Sequence, residues 1–192
     1  MATTLVMVLR AASLLAFVGP ASITVTERER VRRPRTSQLP RRRAPVMANL
    51  TAFVLFLLSL CARPGAFGDS AALLLAFAGF SLAAAGAAFV LKARIELGRA
   101  WSLVPDADRA TGLVTSGPYR HVRHPIYLGL SVHTLGQALA FASWPALVVL
   151  FAGIVPTLMW RAAAEETVLT AMFGEIYAHY RSQTRMIVPY VF

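Results

Sequence analysis

Residues 70–91 carry no charged side chain, and a run of that length matches the roughly 20 apolar residues an α-helix needs to cross bilayer hydrocarbon. Residues 48–61, 126–142 and 145–160 are apolar as well, at or below the short end of spanning length. In lipid every backbone N–H and C=O must be satisfied without water, so such runs fold as helices. Hydrophobic residues make up 57% of the 192 and charged ones only 15%, which does not fit an ordinary soluble domain. The expected fold is all-α: a multi-pass membrane helical bundle of two helical hairpins, four to five spans in all, with a cytoplasmic C-terminal helix. Any functional apparatus must then be built from helix ends and the loops between them.

Charge distribution orients this bundle. Residues 27–43 hold eight arginines against two glutamates, and residues 92–123 hold six basic residues against three acidic ones. The excess of Lys and Arg places both segments in the cytoplasm, with the nearly neutral tip at 63–69 outside. A basic, Pro-containing run beside apolar segments reads as a flank drawn to anionic membrane lipids. It lacks the interleaved aromatics of a nucleic-acid groove, so no nucleic-acid partner is expected.

Residues 5–18 are apolar but short, are interrupted by Arg10, and lack the basic start and clean cleavage site of a secretory signal. Residues 1–46 are therefore assigned to a basic N-terminal arm, flexible or weakly membrane-associated, and residues 47–192 to the membrane domain. Cys61 is the sole cysteine, which excludes an intrachain disulfide or a thiolate cluster. Gly79 and Gly86 in the second apolar run let another helix approach closely. Pro156 is expected to kink its helix by removing a donor and crowding the preceding turn, and Phe173-Gly174 to mark a break.

The chemistry concentrates in two places. Residues 117–129, GPYRHVRHPIYLG, put Arg120, Arg123, His121 and His124 directly before an apolar run, where charged groups are costly and point to function. The arginine forks and imidazoles suit a carboxylate or phosphate anion. Pro125 can start the next helix, Tyr127 adds a ring with a hydroxyl, and Gly129 permits close approach by a backbone or a ligand. His121 and His124 lack the carboxylate or cysteine companions of a metal site, so no metal is expected. The second cluster is Glu165 and Glu166, which directly follow an apolar run, with Arg161 one turn before Glu165.

Taken together, Gly117-Pro118-Tyr119-Arg120-x-Val122-Arg123-His124-Pro125-x-Tyr127-x-Gly129 and Glu165-Glu166-x-x-Leu169-x-x-x-Phe173-Gly174-x-x-Tyr177-x-x-Tyr180 resemble the isoprenylcysteine carboxyl methyltransferase family and its bacterial relatives. Leu97-Gly98-Arg99-x-Trp101-Ser102 is similar to the family too. The resemblance implies an integral-membrane methyltransferase with its active site facing the cytoplasm, and eighteen arginines against one lysine point to a GC-rich genome and hence a bacterial inner membrane. Its cofactor would be S-adenosylmethionine, and its acceptor a lipophilic or lipid-linked molecule bearing a carboxylate, thiol or amine. Carried over by motif position, Tyr119, His121, Arg123, His124, Pro125, Tyr127 and Gly129 line the cofactor pocket and Glu166 closes it. Arg161 and Glu165 then lie at the reacting centre. An Arg-His-Pro-x-Tyr-x-Gly stretch also resembles NADPH-dependent sterol reductases, the alternative enzyme class, and a non-catalytic membrane scaffold is the third reading.

Overall fold

The computed structural model describes residues 2–16, 44–62, 68–98 and 112–188, and every regular element among them is helical. In chain order these are α1 (Ala2–Leu15), α2 (Ala44–Leu60), α3 (Asp69–Leu97), a 3-10 turn (Gly117–Arg120) and α4 (Pro125–Ala140). Then α5 (Trp144–Val149) runs through a π-helical turn (Leu150–Ile154) into α6 (Val155–Phe173), and α7 (Glu175–Gln183) follows. The basic run at 27–43, most of the tip at 63–69, the Arg99–Ser102 part of the third motif and the last four residues lie outside the described residues.

Local chemistry sets the helix ends. Pro125 opens α4 and Pro145 falls in the first turn of α5, where the missing N–H would have had no intrahelical partner. The Ser143 side chain accepts from Ala146 N at 3.3 Å and donates to the Ser59 carbonyl at 2.8 Å, capping α5 and tying it to the end of α2. Gly174, at φ +50°, separates α6 from α7, as the sequence leads one to expect.

Two helical rods, α3 and the continuous 144–173 segment, are long and apolar enough to cross a membrane, and α1 and α2 are shorter apolar helices. Their outer faces carry exposed Leu50, Val54, Leu58, Leu74, Phe77, Val148 and Phe151, a surface suited to hydrocarbon and not to water. The molecule is an integral membrane helical bundle.

The tightest packing joins α3 to α4, antiparallel, through facing glycines. A Cβ on Gly79 would meet the Gly136 carbonyl oxygen at 2.6 Å, and one on Gly86 would meet that of Gly129 at 2.8 Å. Between these pairs the His133 ring reaches the Ala83 carbonyl at 2.9 Å. The close approach at Gly129 is thus that of another helix backbone. The pairing differs from two sequential hairpins in one respect: α2 packs along α5, the π turn and α6, while α3 packs on α4 and α1. Bulk explains it, because Phe56 and Leu60 of α2 fill the groove beside Leu150, Ile154 and Leu158, whereas the small-residue stripe of α3 needs an equally small partner.

Within the 1–46 arm, residues 2–15 form a helix laid against α3 and α4. Arg10 donates to the Ala140 carbonyl at 2.9 Å and sits 5.6 Å over the Phe141 ring, and Ser13 is fully buried. At Pro156 the expected kink takes the form of a π turn: the Val155 N–H bonds to the Leu150 carbonyl, five residues back. Widening the turn relieves the crowding that a proline ring imposes on the preceding turn.

Candidate active site at one end of the bundle

The antiparallel run of α3 and α4, and the return through α5 and α6, bring the start of α4 and the end of α6 to the same end of the molecule. A buried ionic network joins them. Along α6, Ile154, Leu158, Ala162 and Glu166 recur every fourth residue and all are buried, so Glu166 is the polar terminus of a core-facing stripe. Thr157, Arg161 and Glu165 form the neighbouring stripe, about 100° around the helix.

Glu166 is held by Arg123, Nε to Oε1 at 2.7 Å, with both side chains under a tenth exposed. The Arg123 Nη1 also donates to the Thr184 carbonyl at 2.5 Å and to that of Arg181 at 3.3 Å. Arg181, more exposed, approaches Glu166 Oε2 at 3.7 Å. Glu165 Oε1 accepts from the Tyr127 hydroxyl and from Arg161 Nε, the latter at 3.2 Å. The Arg161 guanidinium lies 5.5 Å from the Tyr127 ring centre, and the His124 ring stacks parallel to Tyr127 at 5.3 Å. His124 therefore stands between the two carboxylates: Nδ1 is 3.6 Å from Glu165 Oε2, and Nε2 is 3.5 Å from Glu166 Oε1. The latter contact falls short of a well-formed hydrogen bond, and the buried Nε2 makes no other among the described residues.

The segment before α4 is fastened from below. Val122 and Arg185 form an isolated parallel bridge, with Arg123 N to Arg185 O at 2.8 Å and His124 N to Met186 O at 2.9 Å. The Tyr180 hydroxyl donates to the Tyr119 carbonyl at 2.7 Å. Met186 and Ile187 pack on the core cluster that includes Tyr127 and Ala162. Burial raises the Tyr119 and Tyr177 phenols well above their ordinary range, and it pushes Tyr180 up to about 12.

Of the residues singled out from sequence, Arg123, His124, Tyr127, Arg161, Glu165 and Glu166 meet in this network, and Tyr119 is buried beside it. His121 is exposed, contributing its carbonyl to Arg185 N at 3.3 Å. Pro125 is buried as the first residue of α4, and Gly129 faces α3. Tyr177 and Tyr180, present in the second motif without a role, and Arg181 and Thr184, which no motif marks, fasten or crowd the same end. The aromatic pair three residues apart on an otherwise polar helix was the available signal. The fully buried Tyr177 hydroxyl has no hydrogen-bond partner among the described residues.

The molecule is thus a membrane helical bundle with carboxylates, guanidiniums and stacked rings clustered at one end. The chain belongs to the phospholipid methyltransferase family, whose model matches residues 74–176. It is similar to a protein-S-isoprenylcysteine O-methyltransferase of Schizosaccharomyces pombe, 27% identical over 101 residues, 52% of this chain and 43% of that protein. It is also similar to protein-S-isoprenylcysteine O-methyltransferase A of Arabidopsis thaliana, 36% identical over 85 residues, 42% of this chain and 41% of the relative. The chain thus matches less than half the length of either. Family membership bears out the resemblance read from the two motifs.

Proposed function

We propose that this chain is an S-adenosylmethionine-dependent methyltransferase of the membrane that esterifies the carboxylate of a lipophilic or lipid-linked acceptor. The observation that carries this is the set of contacts around Glu165. Its Oε1 is already engaged by the Tyr127 hydroxyl and Arg161, and Glu166 by Arg123. Carboxylates so occupied are poorly placed to take up a proton, which favours an acceptor that arrives ionised, a carboxylate, over a thiol or amine that must first be deprotonated. The relatives, named as O-methyltransferases, agree with that choice.

The residues present fit the cofactor. One buried and one partly buried carboxylate, Glu166 and Glu165, suit a donor bearing sulfonium and ammonium charges, and the under-bonded His124 Nε2 and Tyr177 hydroxyl are buried polar atoms that a polar ligand can satisfy. When bound, S-adenosylmethionine supplies a methyl group on a sulfonium, open to in-line displacement. His124, Tyr127, Glu165 and Glu166 would hold it, with Tyr119 behind them. Arg123, whose Nε and Nη1 engage Glu166 and two backbone carbonyls, acts chiefly by fixing Glu166. Arg161, beside Glu165 and next to the exposed Trp160 and Met159, would orient the acceptor carboxylate as it enters from the lipid. Exclusion of water raises the energy of the separated charges more than that of the transition state, in which they neutralise. The excess of Lys and Arg in residues 27–43 and 92–123 supports a cytoplasmic position for this end.

The test is to incubate membranes containing the chain with methyl-labelled S-adenosylmethionine and either an S-prenylated N-acetylcysteine or a long-chain fatty acid. Carboxyl methylation gives label released by mild alkali as methanol. Label that survives alkali would move the reaction to a sulfur or nitrogen acceptor, and absence of transfer with every acceptor would overturn the assignment.

A further inference from the structure

The polar contact between α2 and α6 lies outside the ionic network, and Asn49 precedes the segment that matches the family. Asn49 is buried within an apolar helix. Its Nδ2 donates to Thr157 Oγ1 at 3.2 Å, and the Thr157 hydroxyl in turn points at the carbonyls of Gly153 and Ile154, both at 2.9 Å. A Cβ on Gly153 would meet Ala52 Cβ of α2 at 3.6 Å, so α2 lies directly against the π turn. Polar groups at such depth are costly and seldom incidental.

Thr157 is the first member of the stripe that continues through Arg161 and Glu165. Upstream of it backbone bonding departs from the α-helical pattern: the π turn replaces the usual hydrogen-bond spacing, and Pro156 has no N–H to give. Downstream, Ala162, Ala163 and Ala164 offer few protruding side chains to key the rotation of α6 against its neighbours. Ile154, Leu158 and Ala162 seat one face of this segment in the core, and the directional hydrogen bond at Thr157 sets the rotation more finely than apolar contact can. We infer that Asn49 and Thr157 are positioning residues for methyl transfer: their bond fixes the rotation of α6, so that Arg161 and Glu165 face Tyr127 and His124. A rotation of about 10° moves a side-chain tip at the helix's outer radius of roughly 5–6 Å by about 1 Å. Misplacement on that scale costs up to about 100-fold in rate.

This inference rests on the proposed reaction, so its test carries a second readout independent of turnover. Thr157→Val keeps the shape and removes the hydroxyl, Asn49→Leu removes the donor, and Thr157→Ser restores the hydroxyl. With S-adenosylmethionine and the S-prenylated N-acetylcysteine, the first two should lower kcat at least 10-fold with KM for the donor within about twofold, and Thr157→Ser should recover most of the rate. The double variant should be no worse than either single one, since both break one bond. In parallel, 3-fluorotyrosine placed at position 127 reports its hydroxyl contact with Glu165 by fluorine NMR. Its resonance should move in Thr157→Val and Asn49→Leu toward that of Glu165→Gln, and stay in Thr157→Ser. Should the resonance move while no acceptor is ever methylated, the positioning stands and the proposed reaction falls. Transfer at the parental rate with an unmoved resonance in Thr157→Val, or equal damage from Thr157→Ser, would overturn the positioning role.

Discussion

Gly86→Ala is the sharpest probe of how the site is held. The added Cβ would stand 2.5 Å from His133 N, 2.8 Å from the Gly129 carbonyl oxygen and 2.9 Å from His133 Cα. All three neighbours are backbone, so no rotamer change can relieve them. Ordinary contact begins at 3.4 Å, so relieving the 2.5 Å approach to His133 N requires α3 and α4 to part locally by about 0.9 Å. Overpacking of this kind costs about 1–3 kcal/mol. The separation acts within a turn of Tyr127, so α4 should also carry Tyr127 off Glu165 and lower turnover. The control is Gly153→Ala, whose Cβ would find Ala52 Cβ at 3.6 Å and Val149 Cγ1 at 3.7 Å, ordinary contacts. There a loss of unfolded-chain freedom should leave stability equal or raise it by about 0.4–1 kcal/mol. Reversible unfolding in mixed micelles under rising SDS, followed by circular dichroism, measures both. Equal stability of Gly86→Ala and the parent, or a larger loss in Gly153→Ala, would refute the glycine seam.

Three further outcomes are expected. Glu166→Ala leaves the buried Arg123 guanidinium without its carboxylate, and should cost about 3–5 kcal/mol in the same unfolding assay; a loss under 1 kcal/mol would mean that the Thr184 and Arg181 carbonyls suffice. Arg10→Ala removes the bond to the Ala140 carbonyl and the stacking on Phe141; it should lower stability by about 1–2 kcal/mol while donor affinity measured by calorimetry stays unchanged. Tyr180 is held neutral in the fold, up to about 12 against an ordinary 10, so the folded state keeps a proton that the unfolded chain gives up. Its contribution is present in full below pH 10 and is lost as pH rises through 12. Tyr180→Phe should flatten that alkaline loss of stability, and an unchanged slope would contradict the burial of the phenol.

Periodicity and chain chemistry made the helices readable in advance, because in lipid an apolar run has no alternative to intrahelical hydrogen bonding. Pro125 and Gly174 then fixed ends whose geometry depends on those residues alone. The site was legible as two motifs, since Arg, His, Tyr and paired Glu are expensive beside such runs and stand out against them. Sequence could not say how the groups divide their labour. Arg123 reads as an anion ligand in the sequence, whereas in the structure its Nε and Nη1 engage Glu166 and the Arg181 and Thr184 carbonyls, and Gly129 lies against the backbone of α3.

Composition and pattern alone thus determined that the chain is a helical membrane protein and marked most of the residues that gather in its polar cluster, because solvation by lipid acts on each segment separately. Tertiary structure decided which helices pair, that His124 lies between Glu165 and Glu166, that a π turn absorbs Pro156, and that Asn49 reaches Thr157. These depend on bulk matched to bulk and on directional bonds between residues far apart in sequence, 108 positions in the last case, and no local pattern encodes them.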